Sequence, residues 1–307
     1  MRFVAVLNRD GGSLRTTDLD VFSGSLKEIL EAGGHTVEIR IVSGDQLVAA
    51  LDEVCAIKSV DAVIAGGGDG TTSAAAAKMM GSEKILAILP AGTMNLFSRS
   101  LGIPQGLDAA LRAFADGEVR AVDVATANGR PFIHQFSIGM HAKLVHLREK
   151  MEFASRLGKM RASAKAAYGT LMNPPSINVM LTVGEAEIVT RTTGVGITNN
   201  LFGEHALPYA DKPDGGVLGI YVTIARERSE ILRFLLSMLR GKWRDNDQVE
   251  IHQAANATLN IRSPVNKFRC VIDGELFKLE RETVLKIHPG VLRVLVPREA
   301  SNAEAAA

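Results

Sequence analysis

The chain has 307 residues, of which 46% are hydrophobic, so it is long enough to bury a large core and to form two domains. Its 35 lysines and arginines nearly balance its 34 aspartates and glutamates, which excludes a strongly basic protein and predicts no nucleic-acid partner. Two cysteines are too few for a disulfide framework and favour a reducing, cytoplasmic compartment. No apolar run reaches the roughly 18 residues of a membrane-spanning helix, and the first residues favour a strand rather than a signal peptide.

Strand-like and helix-like patterns alternate up to residue 122. The predicted strands are 2–7, 36–42, 61–65 and 85–89, and the predicted helices are 18–32, 44–58, 72–80, 93–101 and 106–116. Such alternation predicts a parallel sheet with helices on both faces. The sequence therefore predicts an α/β domain over 1–122.

Short β-favouring runs dominate from residue 123 onward. The predicted strands are 120–126, 132–137, 177–183, 187–197, 217–224, 257–261, 268–272, 283–287 and 291–296. Many short strands separated by Gly, Pro and Asn turns indicate a sandwich or a barrel. Two helical inserts are predicted within it, at roughly 142–172 and 228–241.

A glycine-rich loop follows the predicted strand 61–65. It consists of Gly66, Gly67, Gly68, Asp69, Gly70 and Thr71. Glycines let the backbone approach a ligand closely, and the N–H groups at the start of the next helix favour a phosphate. Asp69 would repel a phosphate unless a cation lay between them, so the loop predicts a nucleotide phosphate with Mg²⁺. A structural turn is an equal alternative for this loop alone, because neither GxxxxGK[ST] nor GxGxxG is present.

A second polar loop follows the predicted strand 85–89. It contains Gly92, Thr93 and Asn95 and leads into the helix predicted over 93–101. Consecutive strands of an open parallel sheet place such loops along one carboxyl edge, where ligands bind. Two neighbouring polar loops favour a binding site over a pair of structural turns.

A pair of acids near the end of the chain provides a candidate for proton transfer. Asp273 and Glu275 flank Gly274 after an apolar strand. A carboxylate near a substrate hydroxyl can accept its proton. The alternative is the tip of a β-hairpin, since Asp-Gly is a common turn pair.

These three motifs together resemble the diacylglycerol kinase catalytic-domain family, which includes bacterial lipid kinases and sphingosine kinases. The resemblance implies an α/β nucleotide domain of the kind shared by NAD kinases and diacylglycerol kinases over 1–122. It further implies a mainly antiparallel β-sandwich lipid domain over 123–290 and a last segment, 291–300, that returns to the first domain. ATP and Mg²⁺ are the cofactors that the resemblance implies.

The resemblance also implies roles for individual residues. Glu275 matches the proposed general base, and Asp273 takes a supporting role. Asn8, at the end of the first strand, keeps the place of a nucleotide-binding asparagine, beside the two loops described above.

Three aspartates match metal-binding positions of the family. Asp69 and Asp123 match aspartates that hold the catalytic Mg²⁺ through water, and Asp214 matches a ligand of a structural Mg²⁺. For Asp214 an ordinary β-turn residue is an equal alternative. A further aspartate of the family pattern is replaced here by Leu96, which cannot hold a metal-bound water.

Two segments are candidates for contact with a membrane. Residues 143–165 contain seven lysines and arginines against two glutamates, and residues 231–240 are apolar and followed by Trp243 between two basic residues. A basic amphipathic helix can lie on an anionic membrane. The alternatives are a solvated helix for the first segment and core packing for the second.

The sequence is thus interpreted as an ATP-dependent lipid kinase that phosphorylates the hydroxyl of diacylglycerol or a related lipid. Peripheral contact with a membrane from the cytoplasm is expected, and a homodimer is compatible with the sequence. A NAD kinase is the alternative enzyme, although the Asn-Glu pair typical of those enzymes is absent. A nucleotide-binding regulator without turnover is the alternative outside enzymes. None of the seven histidines is assigned a role.

Overall fold

The computed structural model describes residues 1–149, 156–225, 227–241, 244 and 246–298. The chain divides into two compact units. The first unit is Met1–Val122 together with the segment that begins at Gly290, and the second is Asp123–Pro289.

The first unit is an α/β unit built on a parallel sheet. Its elements are β1 (Arg2–Asn8), α1 (Leu19–Ala32), β2 (Thr36–Val42), α2 (Leu47–Ala56), β3 (Ala62–Gly67), α3 (Asp69–Met79), β4 (Ile85–Pro90), α4 (Leu96–Ser100) and α5 (Leu107–Ala115). The strands pair in the order β2-β1-β3-β4, and each of these pairs is parallel. Every residue of β3 and β4 is buried, as expected for central strands covered on both faces.

The helices of the first unit begin where local chemistry allows. The Asp18 carboxylate accepts hydrogen bonds from the N–H groups of Asp20 and Val21 and thereby starts α1. The helix predicted from residue 72 begins earlier, at Asp69, because β3 continues through Gly67 and only Gly68 separates the two elements. A short 3-10 helix at Gly12–Thr16 was not predicted.

The second unit continues from β5, which begins before it. Its elements are β5 (Glu118–Ala127), β6 (Arg130–Phe132), β7 (Gln135–Gly139), α6 (Met140–Glu149), α7 (Arg156–Met172), β8 (Ile177–Val183), β9 (Ala186–Thr192), β10 (Gly194–Asn199), β11 (Leu218–Thr223), α8 (Arg228–Leu239), β12 (Val249–Ala254), β13 (Asn256–Ile261), β14 (Arg269–Ile272), β15 (Glu275–Lys278) and β16 (Glu282–Val296). Two helices, α6 and α7, therefore occupy the insert predicted at 142–172.

Two antiparallel layers form the second unit. One sheet has the order β12-β11-β10-β7-β14-β15, and the other contains β13 between β8 and the first part of β16. Alternate residues of both layers meet in one buried cluster, which includes Phe132, Phe136 and Leu259. The predicted fold class, an α/β unit joined to a mainly antiparallel β-sandwich, is confirmed.

One predicted strand, 187–197, is wrong in that two strands take its place. β9 pairs with β8 in one sheet, whereas β10 pairs with β7 and β11 in the other. The Thr192 hydroxyl lies at the break, where it donates to the Thr223 carbonyl oxygen at 2.7 Å and accepts the Gly194 N–H at 3.0 Å. A run of β-favouring residues conceals this corner from sequence patterns.

The last strand contributes to both units. The first part of β16 pairs with β13 in the second unit, from Glu282 to Lys286. Its end pairs in parallel with β4 in the first unit, where Arg293 lies opposite Ile85. Two runs predicted as separate strands are thus one strand.

Candidate functional site

Three loops of the first unit meet at the carboxyl edge of its sheet. They follow β1, β3 and β4. The Ser13 N–H donates to the Ala91 carbonyl oxygen at 2.8 Å, and the Ala91 N–H donates to the Gly67 carbonyl oxygen at 2.8 Å. Backbone hydrogen bonds therefore join each of these loops to the next.

Glycine is required at several of these contacts. A Cβ on Gly12 would lie 1.7 Å from the Ala91 carbonyl oxygen, and a Cβ on Gly92 would lie 2.7 Å from the Gly68 Cα. A Cβ on Gly67 would lie 2.2 Å from the Thr71 hydroxyl oxygen. The loops approach one another more closely than any larger residue allows.

The start of α3 offers backbone donors to an anion. Gly68 is its N-cap residue and provides no side-chain cap, and the first helical hydrogen bond joins the Thr72 N–H to the Gly68 carbonyl oxygen. The N–H groups of Asp69, Gly70 and Thr71 precede this bond, so the helix dipole and these donors favour a negative group. Gly70 is exposed, and no heavy atom lies within 4 Å of the place where its Cβ would be.

The Asp69 carboxylate links the first glycine loop to the second loop. Oδ2 accepts the Asn95 N–H at 3.0 Å, and Oδ1 accepts the Leu96 N–H at 2.7 Å. These are the first backbone donors of α4, so Asp69 supplies the acceptor that starts that helix. Leu96, which replaces an acid of the family pattern, meets Asp69 through its backbone.

Asn95 and Asn8 complete this edge, whereas Thr93 is exposed. Asn95 is buried in a left-handed conformation with a φ of 49°, and its Nδ2 donates to the Gly92 carbonyl oxygen at 3.0 Å. Asn8 Nδ2 donates to the Thr71 hydroxyl oxygen at 3.3 Å. The structure thus brings together the predicted residues from Asn8 through Gly66–Thr71 to Asn95 in one unit.

The two acids near the chain end have different surroundings in the second unit. Asp273, with a φ of 45°, and Gly274 form the two-residue turn of the β14–β15 hairpin. The Asp273 carboxylate accepts three backbone N–H groups, from Ile133, His134 and Gln135, at 2.9 to 3.0 Å. It therefore fixes the segment between β6 and β7.

Glu275 is exposed at the first position of β15. Within the part of the chain that the structure describes, no side chain or backbone group bonds to its carboxylate. A carboxylate left unengaged on a rigid hairpin is available to a ligand.

The aspartates proposed as metal ligands in the second unit differ in burial. Asp123 is 1% exposed, and its Oδ2 accepts the Gly216 N–H at 2.7 Å. The Asp123 N–H in turn donates to the Pro213 carbonyl oxygen at 2.9 Å. Asp123 thereby anchors the loop in which Asp214 is exposed. Asp69, the third of these aspartates, lies in the first unit.

No group of three or more His, Cys, Asp or Glu residues able to hold a metal ion occurs among the described residues. Mg²⁺ commonly uses only one or two carboxylates together with substrate phosphates and water. Asp69, beside the donors of α3, fits that mode.

The second unit also contains a cavity of about 380 Å³ that sequence reasoning missed. It lies between one face of the β12-β11-β10-β7 sheet and helices α6, α7 and α8. The described residues that line it include no Asp, Glu, Lys or Arg. Its polar lining consists of Gln135, Ser137, His141, Thr170, Thr198, Tyr221 and Thr223.

Two histidines near this cavity are uncharged at neutral pH. Burial, with a contribution from the Arg148 charge, lowers the pKa of His141 to about 4. Burial lowers the pKa of His134 to about 3, and His141 contributes. The Gln135-x-Ser137 alternation, which puts two polar side chains on one face of a buried strand, was the available sequence signal.

The segments predicted to contact a membrane are described in part. Residues 150–155 and Trp243 lie outside the described residues. In α8, Ile231 and Phe234 are buried, while Leu232 is 46% and Leu236 is 41% exposed, so this helix both packs on the unit and presents apolar groups to solvent. No helix in the described part of the chain has the length and apolar character needed to span a bilayer.

Comparisons with known proteins identify both parts of the chain. Residues 2–127 match the family model of the diacylglycerol kinase catalytic domain, and residues 135–296 match that of the YegS C-terminal NAD kinase beta sandwich-like domain. A Cronobacter sakazakii protein named "Probable lipid kinase YegS-like" is 30% identical over 43% of this chain and 47% of its own length.

Two further similarities extend over more of the chain. An uncharacterized Synechocystis protein is 28% identical over 78% of this chain and 55% of its own length. The chain thus spans about half the length of these curated relatives. A solved structure of a diacylglycerol kinase from Bacillus anthracis superimposes with a TM-score of 0.73 at 20% identity, covering 96% of each chain, which shows a shared fold.

Proposed function

We propose, because the chain belongs to the family that joins a diacylglycerol kinase catalytic domain to a YegS-type β-sandwich domain, that it is an ATP-dependent lipid kinase. It transfers the γ-phosphate of ATP to the hydroxyl of diacylglycerol or a related lipid. Membership of a kinase family supports the use of ATP, and the lipid names carried by relatives support a lipid acceptor.

The observation that carries this proposal is the group of three loops at the sheet edge of the first unit. Their glycines pack backbone against backbone, and the uncapped start of α3 presents N–H groups to an anion. A triphosphate is the ligand that such a surface suits best. Asn8, Gly66, Gly67, Gly68, Gly70, Thr71, Gly92, Thr93 and Asn95 are the residues that we assign to nucleotide binding.

Asp69 is the residue that we expect to face Mg²⁺ carried by ATP. Each of its oxygens accepts one N–H group and retains a further lone pair for a metal-bound water. When bound, Mg²⁺ neutralises charge on the phosphates. Asp123 and Asp214 remain proposed metal ligands. Because the Asp123 carboxylate also accepts the Gly216 N–H, it holds the loop that contains Asp214 as well.

Glu275 is proposed as the general base that accepts the proton of the lipid hydroxyl. Its exposure on a fixed hairpin supports this role, and Asp273 supports it indirectly by holding residues 133–135. A carboxylate base contributes typically 10²- to 10⁴-fold to the rate. Asp273 acts as a positioning residue in this scheme.

Labelled ATP distinguishes the candidate functions. The full chain is incubated with Mg²⁺, γ-labelled ATP and either mixed micelles containing diacylglycerol or NAD. Label in the lipid supports the lipid kinase, and label in NADP alone indicates a NAD kinase instead. ATP binding without transfer to any lipid indicates a nucleotide-binding regulator, the alternative suggested by Leu96 in place of an acid.

Glu275→Gln tests the proposed base. We expect kcat to fall by about 10²- to 10⁴-fold while the free energy of unfolding stays within about 0.5 kcal/mol. Glu282→Gln, at another exposed acid of the same unit, is the matched control and should leave kcat unchanged. Equal activity of the two variants would remove Glu275 from the chemistry.

The lipid must be reached at a membrane, and α7 and α8 are the proposed contact. Tyr168 on α7 is 65% exposed, and Leu232 and Leu236 on α8 are also exposed. Lys165 and Arg233 are exposed on the same two helices. Apolar groups among cations suit an anionic bilayer surface. Sedimentation with phosphatidylglycerol vesicles, but not with phosphatidylcholine vesicles, is the expected result.

A further inference from the structure

Strand β9 lies at an edge of its sheet in the second unit. It pairs with β8 along its whole length, and among the described residues no strand pairs with its other side. Ile188 faces the sandwich and packs against the buried core cluster. Glu187, Val189 and Arg191 lie on the opposite face and are exposed, Val189 to 73%. β9 is therefore covered by β8 on one side and open on the other.

The backbone groups of the three exposed residues point to the open side. Asn178 on β8 lies opposite Arg191, and its N–H donates to the Ser263 hydroxyl oxygen at 2.9 Å, on the side of β13 and away from β9. In an antiparallel pair, a residue that points away from its partner strand lies opposite one that does the same, and this repeats every second residue. The N–H and C=O groups of Glu187, Val189 and Arg191 are therefore directed away from β8.

Neither charge of β9 has a counter-charge on the neighbouring strand. The residues of β8 opposite Glu187, Val189 and Arg191 are uncharged, namely Thr182, Met180 and Asn178. No salt bridge joins Glu187 or Arg191 to another group in the described part of the chain. Arg191 Nε donates to the Ser176 hydroxyl oxygen, which holds the guanidinium near the edge and leaves its other N–H groups available to a carboxylate.

The charges of β9 are symmetric about Val189. Glu187 lies two residues before it and Arg191 two residues after it. When two copies of β9 pair antiparallel about a two-fold axis at Val189, each Glu187 lies opposite the Arg191 of the other copy. An axis at Glu187 or Arg191 would place like charges opposite each other, and one at Ile188 or Thr190 would place a charge opposite Val189. Opposite charges stabilise a strand pair and like charges destabilise it, so the sequence favours one register.

We propose that β9 pairs antiparallel with β9 of a second copy of this chain and that Val189 lies on the two-fold axis. The outward N–H and C=O groups of the three exposed residues then form backbone hydrogen bonds between the copies. One Glu187–Arg191 ion pair lies on each side of the two valines. Charges on an edge strand usually prevent pairing with other chains, whereas this arrangement permits pairing with an identical strand.

A cysteine on the two-fold axis tests the register. Val189→Cys would bring two cysteines to a Cα separation of about 5.5 Å, which a disulfide can span. Oxidation of the full chain by air with copper phenanthroline should therefore give a covalent dimer on a non-reducing gel.

Ala186→Cys is the matched control for this cross-link. Ala186 is exposed on the same strand, and its replacement retains both charges. The two cysteines would lie about 20 Å apart along the strand pair, so no cross-link is expected. The wild type controls for Cys55 and Cys270. Equal cross-linking of the two variants, or none with Val189→Cys, would overturn the proposal.

Charge reversal tests the ion pairs. Analytical ultracentrifugation of the wild type should show a species of twice the chain mass of 32.9 kDa. Glu187→Arg and Arg191→Glu each place like charges opposite each other and should raise the dissociation constant of the dimer at least about tenfold. Glu282→Arg, at an exposed acid on β16 of the same sheet, should dimerise like the wild type.

An equimolar mixture of the two single variants separates lost pairing from lost folding. A strand with two arginines then lies opposite a strand with two glutamates, so the mixture should form a heterodimer, and the double variant Glu187→Arg/Arg191→Glu should dimerise by itself. A mixture that associates no better than either variant alone would exclude this register. A wild type that remains a monomer at about 100 μM would exclude the dimer.

Discussion

Glycine has opposite uses in the three loops of the first unit and at the centre of the cavity in the second. In the first unit, Gly12, Gly67 and Gly92 are fixed by what surrounds them, because a Cβ at each would overlap a neighbouring atom. In the second unit, Gly196 has empty space where its Cβ would be. Close backbone approach shapes the first site, whereas a missing side chain shapes the second.

This difference shows which interactions determine each site. Three loops of the first unit are positioned by backbone hydrogen bonds such as that from Ala91 to Gly67. The second unit depends on side chains, namely the Asp273 carboxylate and the group formed by Gln135, Ser137 and His141. We expect glycine substitutions in the first unit to act by displacing the backbone of the loops. Substitutions in the second unit should act by removing single polar side chains.

The largest effect is expected from Gly12→Ala. The new Cβ would overlap the Ala91 carbonyl oxygen, and the φ of +46° at this position is unfavourable for alanine. We expect a loss of more than about 3 kcal/mol of stability together with loss of ATP binding. Urea denaturation measures the first and equilibrium dialysis the second.

Gly24→Ala is the control for that prediction. Gly24 lies within α1 with no heavy atom near the place of its Cβ, so alanine should stabilise the protein by about 0.5–1 kcal/mol. Similar stabilities of the two variants would show that the loops can move apart to accommodate a Cβ. Close backbone approach would then not determine the structure of the loops.

Asp273→Ala is expected to have the next largest effect. It leaves three backbone N–H groups, those of Ile133, His134 and Gln135, without their acceptor. We expect a loss of about 3 kcal/mol in the free energy of unfolding by urea. Glu275→Ala, two residues away and exposed, should change stability by less than about 0.5 kcal/mol. Equal losses would show that the hairpin, not the carboxylate, stabilises the segment.

Asp69→Asn tests a side chain that joins two loops of the first unit. Asparagine keeps one acceptor oxygen, so one of the bonds from Asn95 and Leu96 is lost and the other becomes neutral. A loss of about 2 kcal/mol is expected. The dependence of ATP affinity on Mg²⁺ concentration should also weaken. An unaltered Mg²⁺ dependence would restrict Asp69 to starting α4.

Near neutral pH, the smallest effect is a dependence of stability on pH. The folded pKa values of His134 and His141, about 3 and about 4, lie below the ordinary value of 6.5. At pH values between the folded pKa and 6.5, the unfolded chain therefore binds more protons than the folded chain does. Stability therefore falls as the pH drops below about 6.5, by up to about 1.4 kcal/mol for each histidine per pH unit. Above that pH neither histidine contributes.

Unfolding by urea at several pH values measures this effect. His141→Gln, which retains a polar side chain without an ionisable ring, should show a shallower decline than the wild type on acidification. Parallel curves would mean that His141 titrates normally and that the cavity is wetter than the structure indicates.

Local patterns in the sequence were sufficient to predict that two loops of the first unit lie at one edge of its sheet. The run from Gly66 to Thr71 and the loop of Gly92 and Asn95 follow apolar strands, and alternation with helices places them on one edge. The part played by Gly12 was not visible. Its 3-10 helix packs on Ala91, 79 residues away, and nothing in the local sequence specifies that contact.

Long-range side-chain bonds explain most of what sequence patterns missed in the second unit. Asp273 lies 138 to 140 residues from the N–H groups that it accepts, so only the common turn pair Asp-Gly could be recognised. The spacing of the histidines along the chain predicts no metal site and gives no sign of the bonds that His141 makes. Its partners Gln135 and Ser137 become neighbours only because α6 begins directly after β7.

The two-part course of β16 has a consequence for dissecting the molecule. The first unit takes one of its strands from the far end of the sequence, where the Val291 carbonyl oxygen accepts the Gly81 N–H at 2.7 Å and Arg293 lies opposite Ile85. In a fragment that stops at residue 122, β4 would be an edge strand with unpaired backbone groups. Such edge strands pair with strands of other chains and promote aggregation. A single cleavage of the chain therefore cannot release either unit intact. Proteolytic loss of β16 should make the first unit prone to aggregation.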